Sequence, residues 1–296
     1  MDKIVMRSYA KVNITLDTLR KRDDGYHDVK MIMQSVSLYD KITIRKADRI
    51  KISTNLKFLP TNEKNIAYKA AALFMENFPA CRGARIDISK WIPVSAGLAG
   101  GSSNAAAVLV GLNKLYDNPF SEDELLKMGE KLGSDVPFCI TGGTALSEGR
   151  GEVLTPLTAL PEDTVILIAK PPVHVSTAEV YGRLNVNKLA EHPDTAGAIS
   201  AIENGDINGV AIRMFNVLET VTAPEHPAIG ELKLKMIRLG ALGSVMSGSG
   251  PSVIGIFKNK TDAINAKKEL SESLRDVFVT TAVSCGTEEF KYNERK

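Results

Sequence analysis

The sequence predicts an α+β chain of two domains, and three observations carry that expectation. The opening third alternates apolar and polar residues in short runs, the signature of half-buried strands. A stretch of small residues from Pro93 to Ser103 then leads straight into a helical pattern. The closing part runs strand, glycine-rich turn, strand, helix, strand, with one further short strand well before it. This β…ββαβ order is that of a split-βαβ sheet layered with helices. Turn residues together with Pro156 and Pro161 place the boundary near residue 155, giving domains 1–155 and 156–296.

The elements follow in order. Ala10 to Leu16 alternates cleanly, with Val12, Ile14 and Leu16 expected on one face and Lys11, Asn13 and Thr15 on the other. Asp23-Asp24-Gly25 is a turn that delivers Tyr26 and His27. Short alternating runs follow at 41–44, 50–52 and 84–88, with a helix over 63–77 between the last two. After the small-residue loop, Ala105, Val108, Leu109, Leu112 and Leu115 recur at three- and four-residue steps. The next helix opens on the capping box Ser121-x-x-Glu124, and Gly133 is expected to close it as the C′ residue. Residues 164–169 suit a buried strand that Pro171-Pro172 ends, and mostly helical patterns run on to about Leu239. Strands at 242–246 and 252–257, a helix at 262–274 and a strand at 277–283 complete the chain.

Composition narrows the function classes. Of 296 residues, 44% are apolar and 24% charged, which excludes a collagen, a coiled coil and a disordered chain. No apolar run approaches the ~20 residues that span a bilayer, so no membrane partner is expected. Lys plus Arg number 37 against 35 Asp plus Glu, and a net charge of +2 gives no surplus for holding nucleic acid. Met1-Asp2-Lys3-Ile4-Val5 does not begin a secretory signal. Cys81, Cys139 and Cys285 are odd in number and lack a metal-binding spacing, so a reduced, cytoplasmic protein is expected. His174, His192 and His226 have neither HExxH nor i,i+4 spacing and receive no metal or catalytic role.

The strongest chemical signal is the loop itself. Small residues at the mouth of a helix let backbone approach a ligand, and the first-turn amides and helix dipole favour an anion. The hydroxyls of Ser102 and Ser103 add donors for a phosphate or a phosphate-bound metal ion. The loop lacks the Gly-Lys-Ser/Thr of a Walker A site and the glycine spacing of a dinucleotide fingerprint. Taken alone it is equally a tight strand-to-helix connection with serine caps. A second glycine-rich loop, Ser247 to Ser252, lies between two strands, where a plain hairpin connection is the commoner meaning. Asp135 stands in a turn between a terminated helix and Pro137, held by backbone rather than by a long stem. Lys11 and Asn13 point into a cleft if the polar face of the first strand lines one. Tyr26 and His27 offer two rings that suit stacking on a nucleobase.

These motifs agree on one family. Pro93-Val-Ser-Ala-Gly-Leu-Ala-Gly-Gly-Ser-Ser103 resembles the second motif of the GHMP small-molecule kinases, and Ser247-Gly-Ser-Gly-Pro251 resembles their third. Ala10-Lys-Val-Asn13, Asp24-Gly-Tyr-His27, Gly133-Ser-Asp-Val-Pro-Phe138, Gly149-Arg-Gly-Glu152 and Val175-Ser-Thr-Ala-Glu-Val-Tyr181 narrow the resemblance. They point to members that phosphorylate the 2-hydroxyl of a cytidine-diphosphate-linked methylerythritol in the non-mevalonate isoprenoid route. The resemblance runs from about residue 7 to about residue 284.

It implies a two-domain GHMP kinase fold: an N-terminal mixed sheet with helices and a left-handed βαβ crossover, and a C-terminal ferredoxin-like layer. It implies ATP as co-substrate, with Mg²⁺, and a homodimer is compatible with it. By position, Asp135 takes the role of general base or hydroxyl orienter, with Lys11 as its partner. ATP would be held by Asn65, near the adenine, and by Pro93, Val94, Ser95, Ala96, Gly97, Leu98, Ala99, Gly100, Gly101, Ser102 and Ser103. The cytidyl substrate would be held by Asn13, Tyr26, His27, Thr177, Tyr181, Gly248 and Ser249. Asn104 departs from the aspartate that many members carry after the serine pair; it keeps a hydrogen-bonding oxygen without the negative charge. Glu124 and Glu130 are nearby acidic residues, but Glu124 has a capping role, so no protein ligand for the metal is assigned. Two alternatives stand beside this reading: a GHMP kinase of the homoserine or mevalonate type, and a non-catalytic nucleotide-binding protein.

Overall fold

A computed structural model describes residues 2–291. β1 (Lys3–Lys21) and β2 (His27–Lys46) form a long antiparallel hairpin. β3 (Lys51–Thr54), α1 (Ile66–Asn77) and β4 (Ala84–Ser89) form a unit in which the two strands run parallel. The small-residue loop then feeds α2 (Gly100–Leu115). α3 (Glu122–Leu132) and a short α4 (Val136–Thr141) lead to β5 (Thr144–Glu148) and β6 (Val153–Pro156). These strands make a mixed sheet in which β2 sits between β1 and β4 and also pairs with β5. Its apolar side packs on α1 and α2, where Phe74, Ala105, Val108, Leu109 and Leu112 are wholly buried. Each large apolar side chain removed from water there contributes about 1.5–3 kcal/mol.

The second layer begins with β7 (Val165–Lys170) and α5 (Thr177–Arg183). α6 (Thr195–Glu203), α7 (Ile207–Ala211), a two-residue β8 (Phe215–Asn216), α8 (Glu219–Glu225) and α9 (Pro227–Arg238) follow. β9 (Ala241–Met246), β10 (Val253–Phe257), α10 (Lys260–Leu270), β11 (Asp276–Thr281) and β12 (Thr287–Glu289) close the chain. The sheet order β11-β7-β10-β9, with every neighbouring pair antiparallel, is the ferredoxin-like arrangement expected from the ββαβ order. Two strands of this half leave it. β12 pairs with β1 in the register Ser8↔Thr287, and β8 runs parallel to β1 at Thr15↔Phe215.

Two local expectations are corrected. The β1–β2 register shifts between Asn13 and Thr15, a bulge that leaves Ile14 as the extra residue. One extra residue inverts the alternation beyond it. Leu16 therefore joins Met31 and Met33 on the side of Lys11, while Val12 and Ile14 pack with Ile32 on the other. Gly133 ends α3 in extended backbone (φ 167) rather than in the left-handed C′ conformation, so the chain runs straight on into Ser134 and Asp135.

Candidate active site

A cavity of about 930 Å³ lies along the polar face of β1 and draws its walls from both halves of the chain. At its middle the Lys11 ammonium donates to Asn13 Oδ1 at 2.8 Å and stands 3.8 Å from Asp135 Oδ2. Lys11 is buried, whereas the Asp135 side chain keeps 32% of its surface open to the cavity. Asp135 occupies the N-cap position of α4, yet its carboxylate makes no capping hydrogen bond. Its backbone carbonyl accepts from Cys139 N at 3.0 Å, so the helix fixes the residue while both carboxylate oxygens remain free of backbone. That is the geometry of a carboxylate available to a ligand rather than to its own turn.

The small-residue loop forms the next wall. Ser95 (φ 51) and Ala99 (φ 52) adopt the left-handed conformation without being glycine, at a cost of about 1–3 kcal/mol each. Gly97 (φ +73) presses against the second glycine-rich loop, where the Ser247 hydroxyl donates to Gly97 O at 3.0 Å and accepts from Asn13 N at 3.2 Å. Lys11 N also donates to Leu98 O at 3.2 Å, which joins the loop to β1. α2 starts at Ala99 with no side-chain cap, and Ala99, Gly100, Gly101 and Ser102 line the cavity. Uncapped first-turn amides facing a cavity at the positive end of a sixteen-residue helix form a ready anion site.

The far end is aromatic. The rings of His27 and Tyr181 lie 5.3 Å apart at 35°. Burial, and then the charge of Lys21, holds the His27 imidazole below its ordinary value, and its Nε2 is buried without a protein hydrogen-bond partner. Burial pushes the Tyr181 phenol well up, and the negative charge of Asp135 adds to this. Thr177 and Ser249, both from the second half of the chain, share a hydrogen bond of 2.7 Å, and Gly248 lies beside them on the wall. Tyr26 is 56% exposed at the rim with the Arg150 guanidinium 5.3 Å from its ring centre.

Comparison with known proteins agrees with this geometry. The family models described as GHMP kinases N terminal domain and GHMP kinases C terminal match residues 65–143 and 198–276. The chain is 50% identical over 290 residues to the 4-diphosphocytidyl-2-C-methyl-D-erythritol kinase of Alkaliphilus oremlandii, covering 97% of this chain and 99% of that one. It belongs to that family of GHMP kinases. The correspondingly named protein of Clostridioides difficile is 49% identical over 290 residues, covering 97% and 98% of the two chains. A crystal structure of 4-(cytidine 5'-diphospho)-2C-methyl-D-erythritol kinase superposes with a TM-score of 0.81 at 30% identity, covering 94% of this chain and 99% of the other. The homoserine kinase of Cytophaga hutchinsonii, at 20% identity, TM-score 0.78 and 98% coverage of both chains, shares the fold.

In this GHMP kinase most of the residues singled out in the sequence meet around one space. Lys11, Asp135, Asn65, Tyr26, His27, Thr177 and Tyr181 line the cavity, as do Pro93, Val94, Ser95, Ala96 and Gly97. Three residues stand behind the wall. Asn13 reaches the cavity through Lys11, and Leu98 is buried in the core. Ser103 is wholly buried, its hydroxyl donating to Tyr9 O at 2.6 Å and meeting Ser8 Oγ at 2.6 Å. That hydroxyl is engaged by protein, which leaves Ser102 as the serine facing the cavity. The Asn65 side chain accepts from Ala67 N and donates to Pro60 O, so it caps α1 as well as lining the site.

The GHMP kinase also carries a cluster that the sequence reading missed. Lys90 lines the cavity and is paired with Asp40, which is fully buried, while Asn104 bonds to both. The sequence did hold a signal for it: Asp40 falls on the same alternation as the buried Ile42 and Ile44, a charge on an apolar face. For a metal ion, no group of three potential ligands occurs among the described residues. Glu124 is occupied by its capping box with Ser121 at 2.8 Å.

Proposed function

We propose that the chain transfers the γ-phosphoryl group of ATP to the 2-hydroxyl of 4-diphosphocytidyl-2-C-methyl-D-erythritol, a step of non-mevalonate isoprenoid precursor synthesis. The observation that carries this reading is the Lys11–Asp135 pair, placed between an anion-binding helix terminus and an aromatic end. Phosphoryl transfer demands positioning and charge stabilisation more than covalent help, and the cavity supplies both. The ATP phosphates rest on the first turn of α2, with the adenine toward Asn65. The cytosine enters beside His27, Tyr181 and Tyr26, while Thr177, Gly248 and Ser249 flank the sugar-phosphate part.

Asp135 accepts the proton of the attacking hydroxyl as the new O–P bond forms and the bond from the γ-phosphorus to the bridging oxygen breaks. The Lys11 ammonium steadies negative charge on the substrate oxygen, and Asn13 fixes the ammonium in that position. Mg²⁺ suits this site as an ion carried by the phosphates. Such an ion keeps most of its water and phosphate ligands, and one carboxylate and one hydroxyl, Asp135 and Ser102, border the phosphate region. When bound it neutralises phosphate charge.

The cytosol is the proposed location; among the described residues no helix is long and apolar enough to cross a membrane. A direct assay tests the function, offering the purified protein ATP with the cytidyl substrate, homoserine or mevalonate. Phosphorylation of the cytidyl substrate in clear preference to the other two is expected. Preference for homoserine or mevalonate, or no transfer to any, overturns the reading.

A further inference from the structure

We propose that Asp40 is the positioning residue of the phosphate loop, a single buried carboxylate that fastens both ends of the loop to β2. This rests on reading residues 93–103 as the site of the ATP phosphates. Asp40 is completely buried. Its Oδ1 accepts from Trp91 N at 2.7 Å and Ile92 N at 2.9 Å, the two residues that lead into the loop. Its Oδ2 accepts from Asn104 Nδ2 at 2.8 Å, the first residue beyond the loop, and from the Lys90 ammonium.

Asn104 completes the ring by accepting from Lys90 Nζ at 3.2 Å and donating to Ser8 Oγ at 3.0 Å. The ammonium lies directly beneath the first turn of α2, since a β-carbon on Gly100 would stand 3.0 Å from Lys90 Nζ.

The physical need for such a fastening is local. Between the two tied ends the loop holds Ser95 and Ala99 in left-handed backbone, a conformation that persists only where the surroundings over-determine it. A buried charge survives only when paired and fully hydrogen-bonded, and Asp40 has four donors from two segments of chain, 90–92 before the loop and Asn104 after it. Releasing either end lets the strained residues relax and swings the amides of Gly100 and Gly101 away from a bound phosphate. Asp40 is not on the cavity wall, so its effect on ATP passes through the loop. Asn104 takes part because its amide donates twice, to Asp40 and to Ser8, while its oxygen accepts from Lys90; an ionised carboxylate has no donor, a hydroxyl has one, and a methyl has neither.

The test uses the full-length protein and three variants: Asn104→Ala, Asp40→Asn, and the double variant Asp40→Asn with Lys90→Met, which removes both buried charges together. Steady-state KM values for ATP and for the cytidyl substrate are measured with the Kd of adenylyl imidodiphosphate in the presence of Mg²⁺. In Asn104→Ala and the double variant, KM for ATP and Kd for the analogue are expected to rise about tenfold. KM for the cytidyl substrate should stay within about twofold of wild type. If Asp40→Asn fails to fold, Asn104→Ala, which leaves no buried charge unpaired, decides the matter. Analogue binding as tight as wild type in folded Asn104→Ala, or equal rises in both KM values, overturns the proposal. Wild-type protein that binds the analogue but leaves the cytidyl substrate unphosphorylated would sink the functional reading alone, because the analogue Kd still reports on the loop.

Discussion

Gly97 and Ser247 are in backbone contact: a β-carbon on Gly97 would stand 2.1 Å from the Ser247 carbonyl oxygen. The same serine donates its hydroxyl to Gly97 O, so the two glycine-rich loops are locked across the halves of the molecule at this point. Gly97→Ala is therefore expected to force the loops apart, adding left-handed strain to the clash. Stability should fall by about 1–3 kcal/mol, and turnover should fall about a hundredfold or more because the amides proposed to hold the phosphates move with the loop. Thermal unfolding and kcat measured on the same preparation check this. A variant with normal turnover would show that the contact does not matter.

Asp135 stands in the cavity with its carboxylate unused by its own helix. Asp135→Ala is expected to lower kcat by about 10²–10⁴, the usual range for losing a proton acceptor. The Kd of an ATP analogue should change little, since the amides proposed to hold the phosphates belong to α2. Isothermal titration beside a turnover assay separates the two effects, and near-normal turnover would remove Asp135 from the chemistry.

His27 gives a prediction in pH. Its imidazole is held below the ordinary 6.5 by burial and by Lys21, so the folded state resists a proton that the unfolded chain accepts. Below pH 6.5 the unfolded chain binds more protons than the folded one at this site, so its contribution to stability falls as pH falls through 6.5. The neutral ring, with Nε2 lacking a protein partner, should still bind the cytidyl substrate at pH 6.5, leaving its KM flat down to that point. His27→Ala should raise that KM while leaving KM for ATP nearly unaltered. Ring titration followed by NMR settles the direction: an apparent pKa above 6.5 would contradict the burial argument.

The cysteines should be inert. Burial pushes the thiols of Cys81, Cys139 and Cys285 up, and for Cys139 the charge of Asp135 adds to burial while Lys11 opposes it. Thiolate is the reactive form, so iodoacetamide should label the native protein far more slowly than the unfolded one. Rapid modification of Cys139 in the folded protein, read by mass spectrometry, would contradict this.

Much of the cavity wall was legible in the sequence because a loop whose backbone must come close to a ligand needs small residues at the mouth of a helix, and Pro93 to Ser103 carries them. The ferredoxin-like layer was legible from element order, which limits how four antiparallel strands and their helices stack. What escaped had physical reasons. The side on which Leu16 lies depends on a bulge at Ile14, and a bulge leaves no mark on an alternating pattern. Ser103 was read as a phosphate donor because a serine's partners are set by tertiary neighbours, here Ser8 and Tyr9, far away in sequence. Asp40 and Lys90 lie 50 positions apart, so although Asp40 sits on an apolar alternation, its partner emerges only once the chain is folded.

The pairing of β12 and β8 with β1 bears on how the polypeptide reaches its native state during synthesis. The strand that carries Lys11 has Phe215 and Thr287 as neighbours, so its edge stays open until nearly all of the chain has left the ribosome. A nascent chain released early would expose that edge as a template for pairing with other molecules. Contacts this distant in sequence slow folding, because a long loop must close before they form. Lys11, proposed as the partner of Asp135, thus lies on a strand that is among the last to find its final surroundings.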